Sequence, residues 1–368
     1  MSGNKRRPSG NAILRDVRTW LERFIAVTHE DDLDILSLWI VHTHLVSELW
    51  TTPRLLIDSI MPGSGKTTVL DHCSRLCHRP VQAAMLSSPA LIPRMLESEM
   101  RTILLDEVDR SLRENKEGVQ DLIAVVNSGY RFGASRPVLV PGGDGWVTQD
   151  MSTYAPVAMA GNSPHLPPDT LSRAIRILMM PDLSGDVEDS DWELIEEDAK
   201  KLHDSIVTWA DSVRENIPQV DLPDGCIGRT REKWRPLKRV AVLAGGDWPR
   251  VADQLIKNNI AEDQAEREAG LKELPPGMVL LNDLRAVWPD DEDFVSSADL
   301  LKLVVNHNRD YWGANSKFGR LSPQRFGRIV NQATKRTSTR EHGRSGPRGF
   351  TRSDFELTWR RMNIQGPE

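Results

Sequence analysis

The stretch LLIDSIMPGSGKTTVLDH, Leu55 to His72, decides the fold. It joins a short apolar run to a loop of small residues, and then to a segment with Val69, Leu70, Cys73, Leu76 and Cys77 at helical spacing. Strand, glycine loop, helix is the context a phosphate-binding loop needs. Backbone N–H groups around Gly63 to Lys66 can surround an anion at the helix N-terminus, where the peptide dipoles also favour it. The motif G-x-x-x-x-G-K-[ST] is met at Gly65, Lys66 and Thr67, but Ile60 stands where the first glycine is asked for. Position 60 falls where the chain leaves the strand, so Ile60 is expected as the last strand residue. The glycines that let backbone approach phosphate, Gly63 and Gly65, are kept. Pro62, Gly63, Ser64, Gly65, Lys66, Thr67 and Thr68 are therefore the expected nucleotide contacts, with ATP as ligand. Lys66 would sit on the β and γ phosphates and the Thr67 hydroxyl on Mg2+.

Such a loop predicts a second apolar strand ending in an acid, and RTILLDEVDR supplies it. Asp106 is expected in the Mg2+ shell and Glu107 as the group that orients or deprotonates the attacking water. Asp109 reads as a helix cap. EGVQDLIAVVNSGYRFGA is helical to about Ser128, and RPVLVPGGDGWVTQD reads as a hairpin about its glycine-rich turn. APVAMAGN is then an apolar strand ending in Asn162, placed to touch both the γ-phosphate and the water. LPPDTLSRAIRILMMP gives a short helix, Arg173 and a further strand. Arg173 is expected to reach a neighbouring subunit as an arginine finger. Arg176, in a strand of alternating faces, reads as the partner of a salt bridge.

The order phosphate loop, Asp-Glu strand, hairpin, Asn strand, then Arg resembles an AAA+ ATPase core. TTPRLLIDSIMPGSGKTT, NSGYRFGA, GRTREKWRPLKRVAVLAGGDWP and RGFTRSDFELTWRRM further resemble a domain family of unknown function found in phage and mobile-element proteins. That family is often attached to primase or replication modules, and its members are taken to be helicase-like. The resemblance implies that Arg229 is the lid arginine called sensor 2; a packing role beside Trp234 is the alternative. It also implies that glycine is not required where Ile60 stands.

Composition fits a soluble protein of two or three structural units: of 368 residues, 39% are hydrophobic and 27% charged. LDILSLWIVHTHLV is too short, and too interrupted by His42 and His44, to cross a bilayer. Three cysteines make no disulfide framework, so the expected location is the cytoplasm, with no membrane association. Cys73 and Cys77, beside His72 and His78, have a spacing that could ligate a metal, but one helix supplies all four. They read as small buried residues.

The net charge of −6 is unevenly spread. Leu301 to Glu368 carries 14 Lys and Arg against 5 Asp and Glu, so the remainder is strongly acidic. This asymmetry marks the tail as a module for a polyanion. Its pattern of three helices and a basic Gly-rich hairpin suits a winged helix. Arg325 and Arg328 on the third helix, and Arg340, Arg344 and Arg348 on the wing, are the expected DNA contacts. Protein docking is the alternative for such a module.

The expected fold class is thus α/β: a P-loop NTPase (AAA+/RecA-like) core with a helical lid and a C-terminal winged-helix domain. The expected divisions are 1–50 for a basic tail and helical segment, 51–182 for the core, 183–270 for the lid and 271–368 for the winged helix. The expected function is Mg2+-dependent ATP hydrolysis by a hexameric ring, serving as a DNA helicase or translocase in phage or mobile-element replication, with a primase or helicase as possible partner. An ATP-switched helicase loader or initiator-like factor, or a regulatory or defence ATPase, are the alternatives. The hairpin tip GGDG has no Lys or Arg to grip DNA, which leans toward a loader.

Overall fold

A computed structural model of the chain describes residues 8–83, 89–112, 119–143, 145–270, 274–341, 346–362 and 364. The basic stretch Met1 to Arg7 lies outside them. The chain divides into two compact units, Met1–Glu262 and Asp263–Glu368. In order, the elements of the first are α1 (Gly10–Phe24), α2 (Asp31–Thr43), β1 (Arg54–Ser59), α3 (Lys66–Leu76), β2 (Pro80–Ala83), α4 (Leu91–Ser98), β3 (Thr102–Leu105), α5 (Val108–Ser111), α6 (Val119–Ser128), β4 (Ser135–Gly142), β5 (Gly145–Ser152), β6 (Val157–Asn162), α7 (Pro168–Leu171), β7 (Ala174–Met179), α8 (Trp192–Val213), α9 (Gly228–Ala244) and α10 (Trp248–Glu268). The second holds α11 (Pro276–Val287), β8 (Phe294–Ser296), α12 (Ser297–His307), α13 (Arg309–Trp312), α14 (Pro323–Thr334), β9 (Thr339–Arg340), β10 (Arg348–Thr351) and α15 (Ser353–Arg361).

Five strands in the order β2-β3-β6-β1-β7 form one parallel sheet. Every residue of β1 is buried, as a parallel strand covered on both faces requires. Its side chains alternate between two apolar cores. Leu55 and Ile57 join Trp39, Leu70, Trp209 and Trp234 on one face, while Leu56 joins Ile103, Val108 and Met159 on the other. The sheet is therefore the middle of three layers.

The helices before β1 and those after β7 cover the same face of the sheet. Gly10 shows how closely: an added Cβ would meet Ala244 Cα at 2.4 Å and the Trp209 ring at 2.7 Å. The expected divisions at residues 50 and 182 accordingly fall inside one unit, because a single core runs from Ile13 to Ile256. The division expected near residue 270 lies at 262, within α10.

β4 and β5 pair from Ser135↔Ser152 to Gly142↔Gly145, the antiparallel hairpin the turn residues predict. Leu139, Trp146 and Val147 stand exposed on it. Its tip residue Asp144 lies outside the described residues.

The second unit packs α11, α12, α14 and α15 around Leu284, Trp312, Phe326, Phe350 and Phe355. Ser322 caps α14 by accepting from the Arg325 backbone N–H at 3.2 Å, with Pro323 in the first turn. Its sheet has three antiparallel strands in the order β8-β10-β9. The additional strand, Phe294–Ser296, is too short to show alternation in sequence, and Ser296 doubles as the cap of α12.

Candidate functional site

Ligands of open parallel sheets gather beyond the carboxyl ends of the strands. There β1 delivers the glycine loop, β6 delivers Asn162 and β3 delivers Asp106. Gly63 and Gly65 have φ of +73° and +79°, a region that L side chains disfavour, so the loop needs glycine at both positions. Ile60 is not the last strand residue. The Ser59 hydroxyl turns the chain by donating to Met61 O at 2.7 Å and accepting from Met61 N–H at 3.1 Å. The strand ends at Ser59 and the Ile60 side chain is 64% exposed.

Lys66 is buried at the start of α3, and its Nζ donates to Ser64 Oγ at 2.9 Å, Asn162 Oδ1 at 2.7 Å and Met61 O at 3.4 Å. Burial lowers the Lys66 pKa from its ordinary value, against the opposing pull of Asp106, Asp109 and Asp58. The Thr67 hydroxyl donates to Asp106 Oδ2 at 3.3 Å. Asp106 Oδ1 accepts from the Glu107 backbone N–H at 2.8 Å. Glu107 itself has φ +50° and ψ +40°, a left-handed conformation uncommon for a non-glycine residue. Its carboxylate accepts from Arg110 Nη1 at 2.9 Å. Pro62 and Thr68 flank the loop, exposed and half-buried respectively.

Two acids that sequence reasoning left out of the site brace it. Asp109, expected only to cap a helix, accepts from the Asn162 backbone N–H at 3.1 Å. Asp58 accepts from Ser163 N–H at 3.0 Å and is held by Arg176, whose Nη2 lies 2.7 Å away. Arg176 thus makes the salt bridge that its strand position predicts. The signal for Asp109 was present in RTILLDEVDR as a third acid, but nothing in the spacing tied it to a strand fifty residues on.

Arg173 and Arg229 lie elsewhere. The Arg54 N–H donates to Arg173 O at 3.0 Å, which places Arg173 at the start of β1. The glycine loop begins at the other end of this strand, about 20 Å away at about 3.3 Å per residue. Arg173 is 9% exposed, paired with the Asp169 carboxylate, and donates from Nη1 to Asp169 O at 2.5 Å. Arg229, in the first turn of α9, donates to Glu232 Oε2 at 2.8 Å and to the Tyr130 hydroxyl. The fold therefore brings Lys66, Thr67, Asp106 and Asn162 together, and sets Arg173 and Arg229 together at the opposite end of the sheet.

In the second unit Arg328, Arg340 and Arg348 are exposed, whereas Arg344 lies outside the described residues. Arg340 and Arg348 face each other across β9 and β10. Arg348 donates to Ser338 Oγ at 3.1 Å, and Arg340 to Gly346 O at 3.2 Å. Arg325 is only half-exposed: its Nη1 donates to Phe318 O at 2.8 Å and Gly319 O at 2.7 Å. Gly319 to Arg340 contains six Lys and Arg and no acid, which leaves one polar face of α14 free of negative charge.

Among the described residues, no three His, Cys, Asp or Glu side chains gather as a metal site. Cys73 and Cys77 are buried thiols. Buried His72 accepts from Trp20 Nε1 at 3.0 Å, and its other nitrogen lies 3.0 Å from Ser190 Oγ. No helix among the described residues is long and apolar enough to cross a membrane.

Against known proteins, residues 186–362 match the family described as "Protein of unknown function (DUF3631)". The match takes in α8, α9, α10 and most of the second unit, but not the glycine loop after β1. The chain is also similar to two solved structures. One is the apo structure of the NrS-1 C-terminal region (305–718), at 12% identity and a TM-score of 0.40, covering 92% of this chain and 75% of that one. The other is a full-length MCM homolog from Methanopyrus kandleri, at 13% identity and a TM-score of 0.39, covering 67% of this chain and 60% of that one. No curated protein matches.

Proposed function

We propose that the first unit is a Mg2+-dependent ATPase of the AAA+ type, a P-loop NTPase core with α8, α9 and α10 as its helical lid. In this reading it works as a hexameric ring that translocates on or unwinds DNA during replication, and the second unit is a winged helix that contacts DNA. The observation that carries the reading is the convergence at the carboxyl ends of adjacent strands: Lys66 Nζ 2.7 Å from Asn162 Oδ1, and Thr67 Oγ1 3.3 Å from Asp106 Oδ2. A buried ammonium, a run of backbone amides at a helix start and two hard oxygen donors suit a magnesium–nucleotide complex.

Lys66 would hold the β and γ phosphates, exchanging its bonds to Ser64 and Met61 for phosphate oxygens. The backbone from Pro62 to Thr68 wraps the same anion. The Thr67 hydroxyl and the Asp106 carboxylate would hold Mg2+, which when bound supplies charge to offset that developing on the phosphate oxygens. Glu107 takes the proton of the attacking water, and Asn162 orients that water against the γ-phosphate. Arg173, remote from its own loop, acts on the nucleotide of a neighbouring copy.

The test is ATP hydrolysis by the pure protein, with and without single-stranded DNA. Hydrolysis that DNA stimulates and Lys66→Ala abolishes supports the reading; no hydrolysis with DNA and Mg2+ present overturns it. A second reading, an ATP-switched helicase loader, is favoured by one observation. The β4–β5 hairpin presents Leu139, Trp146 and Val147 and no Lys or Arg from Pro137 to Asp150, a surface suited to protein rather than to a phosphate backbone. Strand displacement by the protein alone favours the motor; displacement only when a separate helicase is added favours the loader.

A further inference from the structure

At the end of the sheet remote from the phosphate loop, three arginines surround one tyrosine. The guanidinium carbons of Arg131, Arg173 and Arg229 lie 5.1, 4.8 and 5.1 Å from the centre of the Tyr130 ring. One carboxylate, Glu232, accepts from the Tyr130 hydroxyl at 3.0 Å, from Arg229 Nη1 at 2.8 Å and from Arg131. Although partial burial works against its charge, the hydrogen bonds from Arg131, Arg229 and Tyr130 hold the Glu232 carboxyl below its ordinary pKa. The backbone of Glu232 is fixed in turn, since its carbonyl accepts from the Thr51 hydroxyl at 2.8 Å.

The cluster opens into a cavity of about 420 Å3, lined among others by Asn127, Ser128, Arg131, Arg173 and Arg229. Arg173 contributes a buried Nε with no hydrogen-bond partner among the described residues. Beside it stand Trp50 and Phe132, 67% and 50% exposed, with ring centres 6.0 Å apart. An open site with three guanidiniums, and only Glu232 and Asp169 paired with them among the described residues, is built for an anion with several oxygens. The chain's own nucleotide cannot be that anion, because the strand between them is about 20 Å long.

We propose that Tyr130 and Glu232 hold Arg131, Arg173 and Arg229 as one phosphate-reading unit that acts on the nucleotide of a second copy of the chain, and that Glu232 occupies Arg131 and Arg229 until that phosphate displaces it. This rests on the ATPase reading above. It adds Arg131 to the working residues, makes Tyr130 and Glu232 positioning residues, and assigns Arg229 to the neighbour's nucleotide instead of its own. The exposed Trp50–Phe132 pair provides an apolar rim for that second copy.

Two measurements on the full chain test it. In the first, Lys66→Ala protein is mixed with the double variant Arg173→Ala/Arg229→Ala, each inactive alone. The mixture is expected to regain about a quarter of wild-type ATPase, the share of randomly formed head-to-tail interfaces that pair an intact loop with intact arginines. In the second, ATPase of Glu232→Gln is followed against protein concentration. Freeing the arginines is expected to lower the half-maximal concentration about three- to tenfold, roughly the worth of a half-exposed ion pair, and Glu232→Asp is expected to restore the wild-type midpoint. A mixture that stays inactive while wild type hydrolyses ATP overturns the inference, together with the action of Arg173 on a neighbouring copy, and leaves only ATP hydrolysis at Lys66 standing. An unchanged midpoint in folded Glu232→Gln overturns the role of Glu232. Wild type that never hydrolyses ATP overturns both readings.

Discussion

Lys66 and Asn162 are joined by a 2.7 Å hydrogen bond that ties the glycine loop after β1 to the end of the adjacent strand β6. The amide oxygen is engaged by the lysine, which leaves its NH2 group to face a water or a phosphate oxygen. Asn162→Ala is expected to lower kcat about a hundredfold while nucleotide affinity changes little, the pattern of an interaction made in the transition state. Asn162→Asp is expected to weaken ATP binding instead, because a carboxylate on Lys66 neutralises the ammonium charge. Titration of a fluorescent nucleotide, alongside steady-state kinetics, separates the two.

Arg54, fully buried at the start of β1, spends its guanidinium on backbone oxygens: Nε and Nη2 donate to Val126 O at 3.0 and 2.6 Å, and Nη1 to Ala155 O at 2.5 Å. Arg54→Met leaves both carbonyls buried without a donor, at an expected cost of about 2–4 kcal/mol. Arg54→Lys should recover little, since one ammonium cannot span a fork geometry. Urea unfolding of the two variants measures the difference.

Asp32 is buried, and burial together with the charges of Glu262 and Asp31 pushes its pKa up to about 7. A carboxyl whose folded value lies above its unfolded value favours the folded state when protonated. Stability therefore falls as pH rises from the unfolded value near 3.8 through about 7. Asp32→Asn should match wild type in melting temperature at pH 4 and exceed it at pH 8. Equal differences at both values would show that Asp32 does not titrate in this window.

In the second unit the exposed and the engaged arginines should separate. Arg328→Ala is expected to weaken DNA binding to all sequences alike, and to reduce the slope of log affinity against log salt by about 1. Arg325→Ala should instead lower the melting temperature, because its guanidinium bonds Phe318 O and Gly319 O. Fluorescence anisotropy at several salt concentrations, with thermal melts, distinguishes the two classes.

Local pattern carried much of the architecture. The runs at Leu55, Ile103, Val157 and Ile175 are strands because each is short and mostly apolar, and the loop between β1 and α3 lies where its glycines place it. Long-range partners were not legible. Nothing near Arg229 announces Tyr130, ninety-nine residues earlier, and Glu232 resembles any i,i+3 partner on a helix surface. Nor does the text around Ile60 show that Ser59 closes a turn on Met61; that depends on a hydroxyl rotamer, which no periodicity encodes. The unity of the first unit was hidden for the same reason, since the contact of Gly10 with Ala244 joins segments that read as separate domains.

That contact also dictates when the molecule can close during synthesis. α1 leaves the ribosome well ahead of the groups that seal it, Trp209 and Ala244, which follow some two hundred residues later. At about 5–20 residues per second, Ile13, Leu14 and Trp20 stay without their final covering for on the order of ten seconds or more. Closure over so long a separation is entropically slow. The nascent chain is therefore most exposed to chaperones and proteases before α9 emerges, and truncations that end ahead of Ala244 should be recovered as aggregates.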